Sequence, residues 1–237
     1  MNPNSTPDAA PLLDDLLAGR LAAAARDFAA SASREIAAGA DDARFGALLS
    51  AASRHARREP LAPTPEERFQ LAALLPGCEI ERWTRLETLR VRLVLARRDL
   101  GQPAGVTALE ACFQFADEGE LCALYRSLQF MTLLPEPKRF AWRAGEGCRS
   151  NMRSVFEATA CDSALPANVF DEPTFNQCVI KAIFIGAPVG RIFGLERRRN
   201  GELTRMALDL AAERKSAGRP IPADLWLAVE PSARPRT

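Results

Sequence analysis

The densest run of chemically useful side chains lies between Arg143 and Glu157, in the stretch Arg-Ala-Gly-Glu-Gly-Cys-Arg-Ser-Asn-Met-Arg-Ser-Val-Phe-Glu. Glu146, Arg149 or Ser150, Arg153 and Glu157 recur every three to four residues. A helix therefore places them on one face, with Asn151 to its side. Such a face has two uses. It can be a solvated surface laced with ion pairs, which spacing alone favours. It can also wall a polar cleft in which guanidinium forks hold an anionic ligand and the amide reads hydroxyls.

Lys181 carries more information. It stands in Phe-Asn-Gln-Cys-Val-Ile-Lys-Ala-Ile-Phe-Ile, residues 175–185, a segment apolar on nearly every side of a helix. Such a helix is normally buried. A lysine in it must reach water or meet a carboxylate, because an unpaired buried charge is expensive. Glu146, Glu157 and Asp171 are the expected partners. Gln177 lies one turn before it. Asn176 is suited either to a ligand or to an open helix end.

Other chemistries are thinly supplied. The sequence has one histidine, His55, beside Arg54, Arg57 and Arg58, which argues against His-based metal sites and triads. No phosphate-binding glycine loop, nucleophile elbow, paired-histidine zinc motif or calcium loop occurs. Gly186-Ala187-Pro188-Val189-Gly190 follows a helix rather than a strand, so it is no dinucleotide fingerprint. The six cysteines (78, 112, 122, 148, 161, 178) include no C-x-x-C pair and read as reduced thiols. No metal and no cofactor is expected. The net charge of +1 gives no global field toward nucleic acid, and the short run Arg197-Arg198-Arg199 reads as a solvated helix end.

The elements that must position these residues are helices. Of 237 residues, 47% are apolar and 26% charged, which suits a folded core and excludes wholesale disorder. Leu12, Leu13, Leu16, Leu17, Leu21, Ala24 and Phe28 form one stripe, predicting a helix that runs on to Ala38 and stops at Gly39. Helical periods follow over 41–58, from Thr64-Pro65-Glu66-Glu67 to Leu75, from Trp83 onward, over 104–116 and 118–130, and over 138–161 with a break at Gly145 or Gly147. Asp171-Glu172-Pro173-Thr174 opens the helix of Lys181, ended by Gly186. A helix over 200–217 and a short one over 223–229 complete the series. No stretch alternates like a strand. The fold class expected is all-α, an irregular array of about ten helices or a HEAT-like α-solenoid. Residues 1–10 and 231–237 are expected to be disordered, with 11–230 forming one helical domain. With no secretory leader and no apolar run near a membrane span, the expected location is the cytoplasm.

An ordered series of short pieces resembles the EboA family. It comprises Leu124-Tyr125-Arg126-Ser127-Leu128, then Phe140 through Met152, then Val155-Phe156-Glu157-Ala158. It continues with Phe170-Asp171-Glu172, Asn176-Gln177, Ile180-Lys181-Ala182-Ile183-Phe184, Gly186 and Pro188, Gly194-Leu195, Glu213-Arg214 and Ala217-Gly218-Arg219. It spans about residues 120–227; the first 110 residues match only as a helical region of suitable length. The resemblance implies a place in a small bacterial cluster that makes or exports a secondary metabolite, beside proteins like a prenyltransferase, a hydrolase, a sugar isomerase and a dehydroquinate synthase. It assigns no reaction. Its pattern maps onto Arg143, Glu146, Arg149, Asn151, Glu157, Asp171, Asn176 and Lys181, largely the residues that spacing had already singled out. The chain also departs from that pattern. Leu210 and Ala212 replace an aromatic and a histidine, Lys215 a tryptophan, and Ser163-Ala164-Leu165-Pro166 an Asn-Pro-Tyr-Pro.

Three functions remain open on these grounds. The first is an accessory protein binding a small polar or anionic metabolite, or a partner protein of that cluster. The second is an enzyme in which Glu146 or Glu157 moves protons and Lys181 serves as electrophile. The third is a helical scaffold whose polar stripe is purely structural.

Overall fold

The computed structural model describes residues 9–234. Most of the two segments expected to be disordered, 1–8 and 235–237, lies outside the described residues. The chain is all-α, with thirteen α-helices among the described residues and several short 3₁₀ turns. The one β feature among them is an isolated bridge between Pro60 and Thr84. Helix lengths run from 4 to 16 residues. The helices form two compact units, Met1–Phe140 and Ala141–Thr237.

In the first unit the helices are α1 (Ala9–Ala18), α2 (Ala23–Ala37), α3 (Asp42–Ala51), α4 (Pro65–Leu74), α5 (Arg85–Val94), α6 (Pro103–Phe115) and α7 (Glu118–Leu128). Helix α5 is the hub, packed against α1, α2, α3 and α7. Leu86, Leu89, Val91, Leu93 and Val94 are buried on it, so its apolar residues face inward on several sides at once. Three of these helices open on reciprocal capping boxes, Thr64 with Glu67, Thr84 with Glu87 and Asp117 with Glu120. Each satisfies backbone donors that helix starts leave free.

The long first helix expected to reach Ala38 is two helices, Ala9–Ala18 and Ala23–Ala37. The break at Gly19–Ala22 is stabilised by arginines that take up the freed carbonyls. Arg20 donates to the Leu16, Leu61 and Ala62 carbonyls and pairs with Glu67, while Arg26 donates to Leu21. Periodicity survives such a break, because the apolar stripe resumes in register. Trp83, expected to open a helix, instead precedes the Thr84 cap and is buried edge-on to Phe130, centroids 6.3 Å apart.

In the second unit the helices are α8 (Ala141–Arg149), α9 (Arg153–Ala160), α10 (Leu165–Val169), α11 (Glu172–Ile185), α12 (Leu195–Arg198) and α13 (Gly201–Ser216). Helix α11 packs against α8, α9 and α13. Asp171 caps its start by accepting from the Thr174 N–H at 2.9 Å. Gly186 ends it at φ 71°, a left-handed conformation that glycine adopts without cost. The expected helix over 138–161 breaks at Ser150–Met152 rather than at a glycine. There the Ser150 hydroxyl accepts from the Met152 N–H at 3.1 Å, and this local turn competes with the helical bond. No helix among the described residues is long and apolar enough to cross a membrane.

Candidate functional site

Helices α8 and α11 lie side by side, joined at their buried faces by Cys148 and Cys178, whose sulfurs are 3.6 Å apart. Above that contact the two helices leave a shallow groove of about 240 Å³. Gly145 and Arg149 line it from α8, and Thr174, Gln177 and Lys181 from α11. The helical repeat explains the pairing. Residues 145 and 149 are one turn apart, and residues 174, 177 and 181 follow one stripe. The same stripes carry exposed aromatics: Trp142 on α8, 63% exposed, and Phe184 on α11, 64% exposed. Helix α11 is therefore not buried all round, as its composition suggested, but presents one mixed stripe to solvent.

Lys181 sits at the centre of this groove, half-buried. Its Nζ donates to Asn151 Oδ1 at 2.9 Å. None of the three carboxylates expected from the sequence is its partner. Glu146 is taken by Arg149, Oε1 to Nη1 at 2.6 Å; Glu157 belongs to another cluster; Asp171 caps α11. The break after Arg149 matters here, because it turns Asn151 out of helical register to reach Lys181. Among the described residues the lysine charge has no carboxylate within ion-pair distance, only a neutral amide. Arg143 lies on the flank with its guanidinium 4.6 Å from the Trp142 ring centroid.

Glu157 anchors a separate ion-pair cluster. One carboxylate oxygen meets Arg153 at 2.7 Å and the other meets Arg191 at 2.9 Å. Arg191 in turn grips Asp162 with both Nε and Nη2, and its carbonyl accepts from the Asp162 N–H at 2.9 Å. Asp162 holds a left-handed φ of 55°, uncommon for a residue with a side chain. Burial alone would raise the pKa of Glu157, but the bonds from Arg153 and Arg191 outweigh it and hold the carboxyl below the usual range. The hydrogen bond to Asp162 likewise raises Arg191. This cluster ties the end of α9 to the turn at Val189–Arg191. Nearby Cys161 is pushed up to about 12 by burial and stays a neutral thiol.

Asn176 is 1% exposed and pairs reciprocally with Asn200, amide to carbonyl at 3.2 and 3.1 Å. Asn200 caps α13 by accepting from the Leu203 N–H at 2.8 Å. Asn176 thus serves a helix start at one remove. Beside it Arg198 stacks over Phe175 and donates to the carbonyls of Pro166, Ala167 and Phe170, closing the end of α10.

Of the residues picked from sequence, Glu146, Arg149, Asn151 and Lys181 come together at the groove. Glu157 joins Arg153, Arg191 and Asp162; Asp171 and Asn176 hold helix ends. Arg191, Asp162 and Asn200 were missed because their partners are 24 to 34 residues distant in sequence. Sequence reading also passed over a larger cleft in the first unit, about 300 Å³, reached by Arg90 and Glu120. An available signal was Arg90 itself, a charge among Leu86, Leu89, Val91, Leu93 and Val94. No three His, Cys, Asp or Glu side chains gather to hold a metal ion among the described residues.

Comparison with known proteins gives one result. The family model described as metabolite traffic protein EboA matches residues 9–230, nearly the whole chain. No curated protein and no solved structure matches.

Proposed function

Because the chain belongs to the EboA family, described as metabolite traffic proteins, we propose that it is an accessory binding protein that holds a small polar or anionic metabolite in the α8–α11 groove. The observation that carries this reading is the uncompensated charge of Lys181, bonded only to the neutral Asn151 at the centre of the groove. An ammonium in that position gains most from an incoming carboxylate or phosphate oxygen, since no internal carboxylate has to be displaced. Arg149 stands beside it and can turn from the exposed Glu146 toward the same ligand. Gln177 and Thr174 supply neutral hydrogen-bonding groups for hydroxyls. Trp142 and Phe184, on the same two stripes, offer apolar surface for the rest of the molecule.

In this reading Arg143 shapes the Trp142 flank, while Glu157, Asp171 and Asn176 hold the frame. The ligand would be an intermediate or product of the bacterial secondary-metabolite cluster that the resemblance implies, handed to or from another protein of that cluster. A catalytic reading fares less well. Its proton donor would be Glu157, held ionised by two arginines, or Glu146, already bound to Arg149.

The test is isothermal titration of the full chain with inorganic pyrophosphate and with citrate, alongside Lys181→Met and Asn151→Ala. At least one anion is expected to bind with an affinity that falls as salt rises. Lys181→Met should abolish that binding without changing the thermal midpoint, and Asn151→Ala should weaken it. Unchanged binding in Lys181→Met would remove the lysine from the site.

A further inference from the structure

The first unit holds a cleft of about 300 Å³ between α3, α6 and α7 with α5 at its base. Its walls are small or apolar: Gly46 and Ala47 from α3, Ala111 and Cys112 from α6, Leu124 from α7. Burial pushes the Cys112 thiol up to about 11, so at neutral pH it is apolar lining and not a nucleophile. At the rim Phe115 is 89% exposed. A large aromatic ring thus stays in water beside an apolar space of ring-holding size. That is a costly arrangement for an empty protein, since open apolar surface forfeits both burial and contact. The volume falls at the lower end of small-molecule sites, about 300–1,000 Å³.

The polar end of the cleft is formed by Arg90 and Glu120. Arg90 is only 3% exposed. Its Nε donates to the Leu49 carbonyl at 3.1 Å, and its Nη2 reaches Glu120 Oε1 at a long 3.3 Å. Nη1, with two N–H donors, has no protein acceptor within hydrogen-bond distance. Glu120 Oε2 accepts from the Asp117 N–H, so Oε1 retains capacity for a further donor. The guanidinium charge is matched by Glu120, and Asp42 also lines the cleft. A ligand carboxylate would meet two like charges, and a ligand cation would meet Arg90. A neutral hydroxyl does neither. It accepts from Nη1 and donates to Oε1, completing both groups.

We propose that this cleft is a second binding site, for a neutral, largely apolar molecule carrying one hydroxyl, a phenol or similar alcohol, seated on Arg90 and Glu120. It is independent of the Lys181 groove and stands or falls separately from it. The site takes the apolar body between α3 and α6, and Phe115 covers the rim.

The experiment is isothermal titration of the full chain with 4-butylphenol, 4-butylanisole and 4-butylbenzoate. The phenol should bind one to one. Capping the hydroxyl as the methyl ether, or replacing it with a carboxylate, should weaken binding about tenfold or more, because Arg90 or Glu120 is left unmatched. Gly46→Leu is the blocking variant. A Cβ at residue 46 meets nothing within 4 Å, so the backbone accepts a side chain that fills the cleft. It should abolish phenol binding with the fold intact by circular dichroism, since leucine is the better helix former. Lys181→Met should leave phenol binding unchanged. Equal binding of phenol and ether, retention of binding in Gly46→Leu, or absence of saturable phenol binding would each overturn the proposal. So would a chain that is dimeric in solution and becomes monomeric with Gly46→Leu, which would make the cleft a self-association surface.

Discussion

Arg90 and Lys181 pose the same problem to the helices that carry them, a positive charge among apolar neighbours, and the two units solve it differently. In the first unit Arg90 is buried and its charge is matched by Glu120, with a backbone carbonyl taking Nε. In the second Lys181 stays half-exposed and meets only the amide of Asn151. The first solution leaves a neutral pocket whose remaining capacity is in hydrogen bonds. The second leaves a groove whose remaining capacity is in charge. The difference predicts different ligand chemistry for two sites of similar size, and it predicts different costs when each cation is removed.

The largest effect tests whether the first cleft depends on the seating of α6. A Cβ on Gly105 would fall 2.2 Å from the Asp99 carbonyl oxygen, a backbone atom that cannot swing away. Gly105→Ala should therefore lower the unfolding free energy by about 3 kcal/mol in urea titration, and weaken phenol binding while pyrophosphate binding in the other unit persists. An unchanged midpoint would mean that α6 is not held at this contact.

Removing the two cations compares the solutions directly. Arg90→Met leaves the mostly buried Glu120 without its partner and should cost about 2 kcal/mol. Much of that should return in the double variant Arg90→Met/Glu120→Gln. Lys181→Met should cost less than about 0.5 kcal/mol, since no buried countercharge is stranded. Equal costs would erase the distinction.

Glu157→Gln probes the ion-pair cluster and should cost about 1 kcal/mol at neutral pH. The pKa of Glu157 is lowered in the folded chain, so its stabilisation is present above the unfolded value near 4.3 and is lost as pH falls through the folded value. The gap between wild type and variant should close in that acidic window. A gap that persists at the lowest pH would mean that packing, not charge, holds the cluster. The smallest effect is expected from Glu146→Gln, which frees the exposed Arg149. Stability should move by no more than about 0.5 kcal/mol, while anion affinity in the groove rises about twofold.

How much of this was legible in the sequence depends on what kind of signal each region carries. The α8–α11 residues announced themselves because polar side chains at helical spacing stand out in an apolar background. Capped starts such as Thr64-Pro65-Glu66-Glu67 and stops such as Gly186 were readable for the same local reason. The cleft of the first unit was not, because it is made of what is missing: the small residues Gly46, Ala47 and Ala111 carry no chemistry of their own and line a space only once two helices face each other. Breaks at Gly19–Ala22 and Ser150–Met152 also escaped, because the apolar period continues across them and the groups that stabilise the first break come from as far away as Glu67. The pairing of Lys181 with Asn151 instead of a carboxylate followed from the second of those breaks.

If the chain is a metabolite-binding protein, it works through Lys181. The most direct test is native mass spectrometry of the full chain purified from its own host, beside Lys181→Met, before and after denaturation. The expected result is an anionic small-molecule adduct on the wild type that denaturation releases and the variant lacks. A bare chain mass in both proteins, or an adduct that Lys181→Met retains, would contradict it.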